Sequence, residues 1–338
     1  MVCAVACHCE RSDNASDAAS ASERKQRLGA IGTAAHARAL RHIEEATASQ
    51  AVSTLQVVVL LVLYTLVCPS IGGNISQQLG FAIRLVIDLY ESGSDSEGED
   101  DGERERLPSL TSLYKIIYCL ENHVCGVLVR PTALPEPAEP LVMPTFSDFL
   151  TGLSQHSDDN RSLDLLCTLY RIQARTRNGS HTNALDTLRS SLLAFADEYK
   201  KHLIQNLKQN GRELLQILHP NVAAVLGETC LLLDPTSSDA ALHLLEAYAD
   251  PGYLATFISP YWVHRAAIVI TDALTDGKVP TQLPSIQAYG QAVALLTSWA
   301  TNWDAATGAK VGYWQSVLTL ISDGQLIIVD MCRYLHSR

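Results

Sequence analysis

Residues 51–90 read AVSTLQVVVLLVLYTLVC, then PSIGG, then NISQQLGFAIRLVIDLY. No strongly polar residue stands between Gln56 and Pro69, and Val57 to Val67 is apolar on nearly every side. A helix of this kind is either buried in a large core or spans a bilayer. Length decides between the two: a span needs about 20 apolar residues, whereas runs of about 10–14 belong to core helices. Lys and Arg do not flank the run as they do at a membrane interface. In the second half, Ile75, Leu79, Ala82, Ile83, Val86 and Leu89 or Tyr90 recur with helical period, with Gln77, Gln78, Arg84 and Asp88 largely elsewhere. The Pro69–Gly73 break favours a tight reversal. The stretch therefore predicts an antiparallel helical hairpin, its first arm central and its second arm covering it.

Working outward, the 338 residues are 47% hydrophobic and 18% charged, enough for a sizeable core in one large domain or two. Long Leu- and Ala-rich segments with few internal glycines point to helices. No persuasive strand alternation and no fixed-period repeat is present. The expected fold class is all-α, a large multi-helix array or bundle of about a dozen helices packed by their apolar faces. The net charge of −11 leaves no overall basic field to draw the chain to phosphate backbones, which argues against direct nucleic-acid binding. Nine cysteines are scattered without a Cys-x-x-Cys pair. Cys68, Cys119, Cys125, Cys167, Cys230 and Cys332 lie in apolar helical contexts, where a thiol behaves as a small hydrophobe. The opening MVCAVACHCERSD has no basic n-region, so it does not read as a signal peptide. A reducing, intracellular setting follows as the expectation.

Along the chain, residues 1–32 are rich in Ser, Ala and Asp and are expected to form a disordered N-terminal tail. Cys3, Cys7, His8 and Cys9 match no common zinc module. Arg24–Arg27 is a weak basic cluster. A helix is expected over 33–48, then the hairpin, then an acidic loop at 91–107 whose Gly, Ser and acid content cannot bury a core. Ser92, Ser94 and Ser96 stand near acids there, as any phosphorylatable tract would. After a helix at 109–128, a proline-rich connector at 129–145 carries five prolines and should run extended over the surface. Helices are expected from Phe146, and from Asp158 with Asp158, Asp159 or Asn160 as cap. Another follows over 183–218 on the stripe Leu185, Leu188, Leu192, Phe195, Tyr199, Leu203 and Leu207. Further helices are expected over 222–233, 239–249, 251–274 with a break at Pro260, 284–302 and 309–335.

No pattern of catalytic, cofactor-binding or metal-ligating residues stands out in the sequence. Gly152-Leu153-Ser154-Gln155-His156 lacks the second glycine of a nucleophile elbow. Gly72-Gly73 is not followed by the Lys of a phosphate loop, and no His-Glu-x-x-His occurs. A helical cyclase needs carboxylates held on a helix around magnesium, yet the richest acid cluster, Glu97 to Glu105, sits in a Gly/Ser tract. Asp158-Asp159 is explained by capping, and His181 and Asp186 are not spaced as a catalytic pair. The eleven histidines read as surface or satisfied packing residues.

One set of motifs remains. Leu55-Gln56 leads through Leu60-Leu61 to Tyr64, Gly73 follows, and Leu79-Gly80-Phe81-Ala82-Ile83-Arg84-Leu85-Val86-Ile87-Asp88-Leu89 forms the next helix. Tyr118-Cys119-Leu120-Glu121-Asn122 and Val129-Arg130-Pro131-Thr132-Ala133-Leu134-Pro135 come after it. A Pro-Tyr helix at 260–270 and Leu296 to Trp299 with Trp303 lie further on. In order and spacing these resemble the middle homology region, the regulatory domain of fungal zinc-cluster transcription factors, over about 34–338. Departures stand at Glu121-Asn122, where the family has Asp-Arg, and at Val129, where it has Gly. The lead-in Thr111-Ser112-Leu113-Tyr114-Lys115 and the acidic tract after Leu89 depart as well. Cys3, Cys7 and Cys9 cannot build the family's six-cysteine, two-zinc DNA-binding module.

The resemblance implies a nuclear transcriptional regulator of a metabolic or secondary-metabolite pathway. It would be no enzyme, would need no cofactor and would not enter membranes. Other transcription factors or co-regulators would be its partners, with DNA reached only through them. Room is left for a small-molecule effector and for homo- or heterodimers. A helical enzyme of a biosynthetic pathway and an interaction scaffold outside transcription are the alternatives.

Overall fold

The computed structural model describes residues 2–3, 6, 18–46, 48, 51–68, 74–94, 101–128, 130–153, 158–179, 183–210, 218–250, 252–275, 287 and 290–296. The described residues form helices and no strand. In chain order these are α1 (Ala18–Leu40), α2 (Ile43–Ala46), α3 (Val52–Val67), α4 (Ile75–Ser94), α5 (Asp101–Leu128) and α6 (Phe146–Leu153). There follow α7 (Asp158–Arg177), α8 (Asn183–Asn210), α9 (Pro220–Leu233), α10 (Ser238–Ala249) and α11 (Ser259–Thr275). The chain is all-α.

Local chemistry sets many of the starts. Asn74 precedes α4, and its Oδ1 accepts from the amides of Ser76 at 3.1 Å and Gln77 at 3.3 Å. Thr145 Oγ1 accepts from Asp148 N at 3.1 Å ahead of α6, and Ser237 Oγ accepts from Ala240 N at 3.2 Å ahead of α10. Each cap satisfies amides that have no partner within the helix. Pro260 sits in the first turn of α11, where its missing N–H costs nothing, so it opens this helix rather than breaking one.

The hairpin forms as expected: α3 packs on α4, and the Thr65 hydroxyl meets Gln78 Oε1 across it at 2.9 Å. The expected centrality of α3 does not hold. It packs on α4 and α5 at one side of the array, and Val57, Leu60, Leu61, Leu63 and Val67 stay partly exposed. The middle belongs to α7, which packs against α5, α6, α8 and α9, while α9 packs on α10 and α10 on α11. One apolar core runs from Leu55 and Val86 through Ile117, Leu169 and Phe195 to Leu231, Leu245 and Val263. A smaller cluster of Val62, Leu66, Ile75, Leu79, Val124 and Ile258 ties the turn before α11 to the hairpin, where Phe257 N donates to Leu66 O at 3.0 Å.

Three boundaries differ from the sequence-based expectation. Helix α1 begins at Ala18, so residues 18–32 of the expected disordered tail are helical. Ala, Glu, Arg, Lys and Gln dominate this stretch, and their high helix propensity works without an apolar stripe. The expected acidic loop at 91–107 is helical at both ends, since α4 runs to Ser94 and α5 starts at Asp101, with Pro108 inside it. The acids at the start of α5 favour a helix N-terminus, and Glu and Arg are good helix formers. The third is the first expected helix, 33–48, which divides into the end of α1 and the single turn of α2. Helix α8 ends at Asn210, with Leu188, Leu192 and Phe195 of its stripe buried. Cys7, His8, Cys9, Ser96, most of the expected helix at 284–302 and all of that at 309–335 lie outside the described residues.

Candidate functional site: a buried polar network and a clamped connector

Two polar systems stand out, one over the outer side of α5 and α7 and one in the interior. The first fastens the proline-rich segment 130–145, which carries no helix until α6 and lies over α5 and α7. Glu121, 3% exposed on α5, accepts from Ala133 N at 2.6 Å and from Leu134 N at 3.0 Å. Burial pushes the Glu121 carboxyl up, and the two amides hold it back only in part. Tyr114 Oη donates to Pro135 O at 2.8 Å. Arg171 Nε donates to Glu136 Oε1 at 2.7 Å and its Nη2 to Glu139 O at 2.7 Å, while Arg175 reaches Glu136 at 2.8 Å. Burial works to raise the Glu136 carboxyl, but the hydrogen bonds and charges of Arg175 and Arg171 prevail and hold it below its usual range. Lys115 pairs with Asp164 at 2.9 Å and Glu139 at 3.1 Å. At the start of the segment Arg130 Nη1 donates to Ser76 Oγ on α4 at 3.0 Å.

The second system lies deeper, between α5, α7, α9, α10 and the turn before α11. Arg177 Nη2 donates to Asn122 Oδ1 at 3.0 Å, and Asn122 Nδ2 donates to Tyr118 O at 3.0 Å. The Arg177 guanidinium passes over Gly126, where a Cβ would lie 2.6 Å from Nη1. Gln173 Nε2 donates to Thr229 Oγ1 at 3.0 Å. Glu228 Oε1 accepts from Tyr248 Oη at 2.5 Å. Tyr170 Oη meets His123 Nδ1 at 2.9 Å, and His123 Nε2 meets Thr256 Oγ1 at 3.1 Å. Ser259 Oγ lies 3.1 Å from Thr256 Oγ1 and 2.6 Å from Tyr253 Oη. The rings of Tyr248 and Tyr253 meet edge to face, 4.5 Å between centroids.

The electrostatics follow from enclosure. Burial pushes the Glu228 carboxyl up to about 8, against smaller lowering effects from Tyr248, Gln173 and Arg177. Burial pulls His123 down to about 4. His123 as a residue is partly exposed, but both ring nitrogens are engaged, so the neutral imidazole, one nitrogen donating and one accepting, is the form this site holds. The network holds proton donors and acceptors in fixed pairs across five segments of the chain. It fixes which helix turns face one another, rather than presenting a nucleophile or a ring of carboxylates to a ligand.

Among the described residues no group of three or more His, Cys, Asp or Glu could hold a metal ion, and no helix is long and apolar enough to cross a membrane. The described cysteines are free thiols; Cys119, Cys167 and Cys230 are buried and Cys3 is exposed. Glu121 and Asn122, singled out in the sequence as departures from a family pattern, both prove to be buried pairing residues. The sequence reading passed over Glu228, Gln173, Arg177 and Tyr248. A signal did exist for Glu228, the one acid in the otherwise apolar run Val222–Leu233. Comparison with protein-family models, with curated proteins and with solved structures finds no match to this chain.

Proposed function

We propose that the chain is a regulatory domain of the fungal zinc-cluster transcription-factor kind, acting in the nucleus through protein contacts rather than turnover. The observation that carries this reading is the convergence of three segments that the resemblance joins by order alone. The 79–89 helix packs on α5, Tyr118 to Asn122 lies on the inner side of α5, and Arg130 to Pro135 returns onto both. Arg130 bonds to Ser76 on α4, and Glu121 bonds to Ala133 and Leu134. Residues that a family pattern spaces far apart are here each other's partners. Glu121, at the pattern's acidic position, is the hinge pin of the arrangement.

The domain reaches DNA through other transcription factors or co-regulators, since its −11 charge opposes a phosphate backbone. Control of a metabolic or biosynthetic pathway is the role in keeping with that kind of regulator. In a gel-shift assay at physiological salt, the purified chain leaves DNA unshifted, and transcript profiles of a deletion strain change over a coherent gene set. Tight sequence-specific binding by the chain alone, or unchanged transcripts, overturns the proposal.

A further inference from the structure

We propose that Glu228 is a proton-operated latch: as a neutral acid it lets α9 close on α10, and on ionisation it loosens α10. The geometry gives the carboxyl no other way to bear a charge. Glu228 is 1% exposed, with Oε1 on the Tyr248 hydroxyl and Oε2 without a hydrogen-bond partner among the described residues. From α7 it is faced by Tyr170, Gln173 and Arg177, from α10 by Tyr248 and from the following turn by Tyr253. Arg177 supplies the positive charge of this cluster, but its Nη1 and Nη2 are turned to Gln173 and Asn122. A buried carboxylate needs several donors or a direct cation to offset the water it has lost. The Tyr248 phenol, with a weaker approach of the Gln173 amide, is too little, and burial prevails.

The backbone allows little local adjustment. At the preceding residue, Gly227, a Cβ would stand 3.0 Å from Leu244 Cα, so α9 and α10 are already in close contact there. Tyr248 lies one turn beyond Leu244 on the same helix. For an ionised Glu228 to gain water, the contact of α9 with α10 must give way, and the strain falls on α10 because it carries Tyr248, the donor to the carboxyl. The consequence is a fold that tightens as pH falls and slackens as pH rises through the slightly alkaline range.

The sign is fixed by the direction of the shift. Glu228 titrates near 8 in the folded chain and near 4.5 when unfolded, so its contribution is complete at low pH and declines as pH rises between the two. Below 6.5 the neutral His123 and the half-buried His264 oppose it, so pH 6.5 to 8 isolates Glu228. Urea unfolding of the full chain at fixed ionic strength reads the effect. Over that window the wild-type folding constant is expected to fall on the order of fifteenfold, because the folded group is itself half ionised at the upper end. Glu228→Gln is expected to stay level, and amide exchange in α10 to accelerate only in the wild type. Parallel slopes for the two proteins overturn the latch. Should Glu228→Gln not fold, infrared spectra of the wild type decide: a protonated carboxyl band at pH 7 that fades together with α10 protection supports it. Absence of any such band overturns it.

Discussion

Two glycines show how much a single side chain can mean in different surroundings. Gly80 lies inside α4, and a Cβ there would meet no atom within 4 Å. Ala at this position removes backbone freedom from the unfolded chain and adds helix propensity, so Gly80→Ala should stabilise by about 0.5–1 kcal/mol. Gly227 gains the same propensity, but its Cβ would press on Leu244 at Cα (3.0 Å) and Cβ (3.2 Å). Overpacking against backbone costs about 1–3 kcal/mol, which outweighs the propensity term. Gly227→Ala should therefore lose stability while Gly80→Ala gains it, as urea midpoints at unchanged m-value will report. His123 is the third case. Its imidazole is neutral in the folded chain and titrates near 4 instead of 6.5, so its contribution is full above 6.5 and lost as pH falls toward 4. A titration-free His123→Gln should flatten this acid limb by about 1–2 kcal/mol, less than the full shift because the residue is only partly buried. Thermal unfolding between pH 4.5 and 6.5, compared with wild type so that the opposing Glu228 limb cancels, measures it.

At the scale of elements, the proline-rich segment is held by side chains rather than by a ladder of its own. Glu121 alone satisfies two of its amides. Glu121→Ala leaves both amides short of an acceptor, and an unpaired buried donor costs about 1–3 kcal/mol. Amide exchange at Ala133 and Leu134 should accelerate and proteolytic cleavage concentrate within 130–145, whereas Glu121→Gln, which keeps one acceptor oxygen, should fall between. The Arg175 pairing with Glu136, at 38% and 32% side-chain exposure, contributes less, whereas Arg171 is buried against the same carboxylate. The same element was legible in the sequence as extended, because five prolines forbid a helix. Its attachment was not, since Glu121 and Ala133 are twelve residues apart and neither type announces a partner.

For the molecule as a whole, apolarity and centrality part company. Helix α3 is apolar around nearly its whole circumference and yet lies to one side, whereas α7, with Arg171, Gln173 and Arg177 among its inner residues, holds the middle. A polar helix can occupy a core when each polar group finds a partner, and here the partners come from three other segments, the connector, α9 and α5. Stability over pH should accordingly peak between two limbs. On the acid side His123 must charge and Glu136 must protonate away from its arginines; on the alkaline side Glu228 must ionise. Calorimetry from about pH 3 to 9 should trace a single maximum between them.

The sequence by itself determined the helical class, the hairpin and the extended connector, because these follow from period, run length and proline, which act over a few residues. It misjudged 18–32 and 101–107, where propensity makes helices without an apolar stripe. Only the tertiary structure decided which helix is central and which polar residues are buried, since burial of Glu228, Gln173 and Arg177 depends on partners as many as 56 residues away. Pairing across such distances leaves no local pattern in the chain; it exists once the helices have packed.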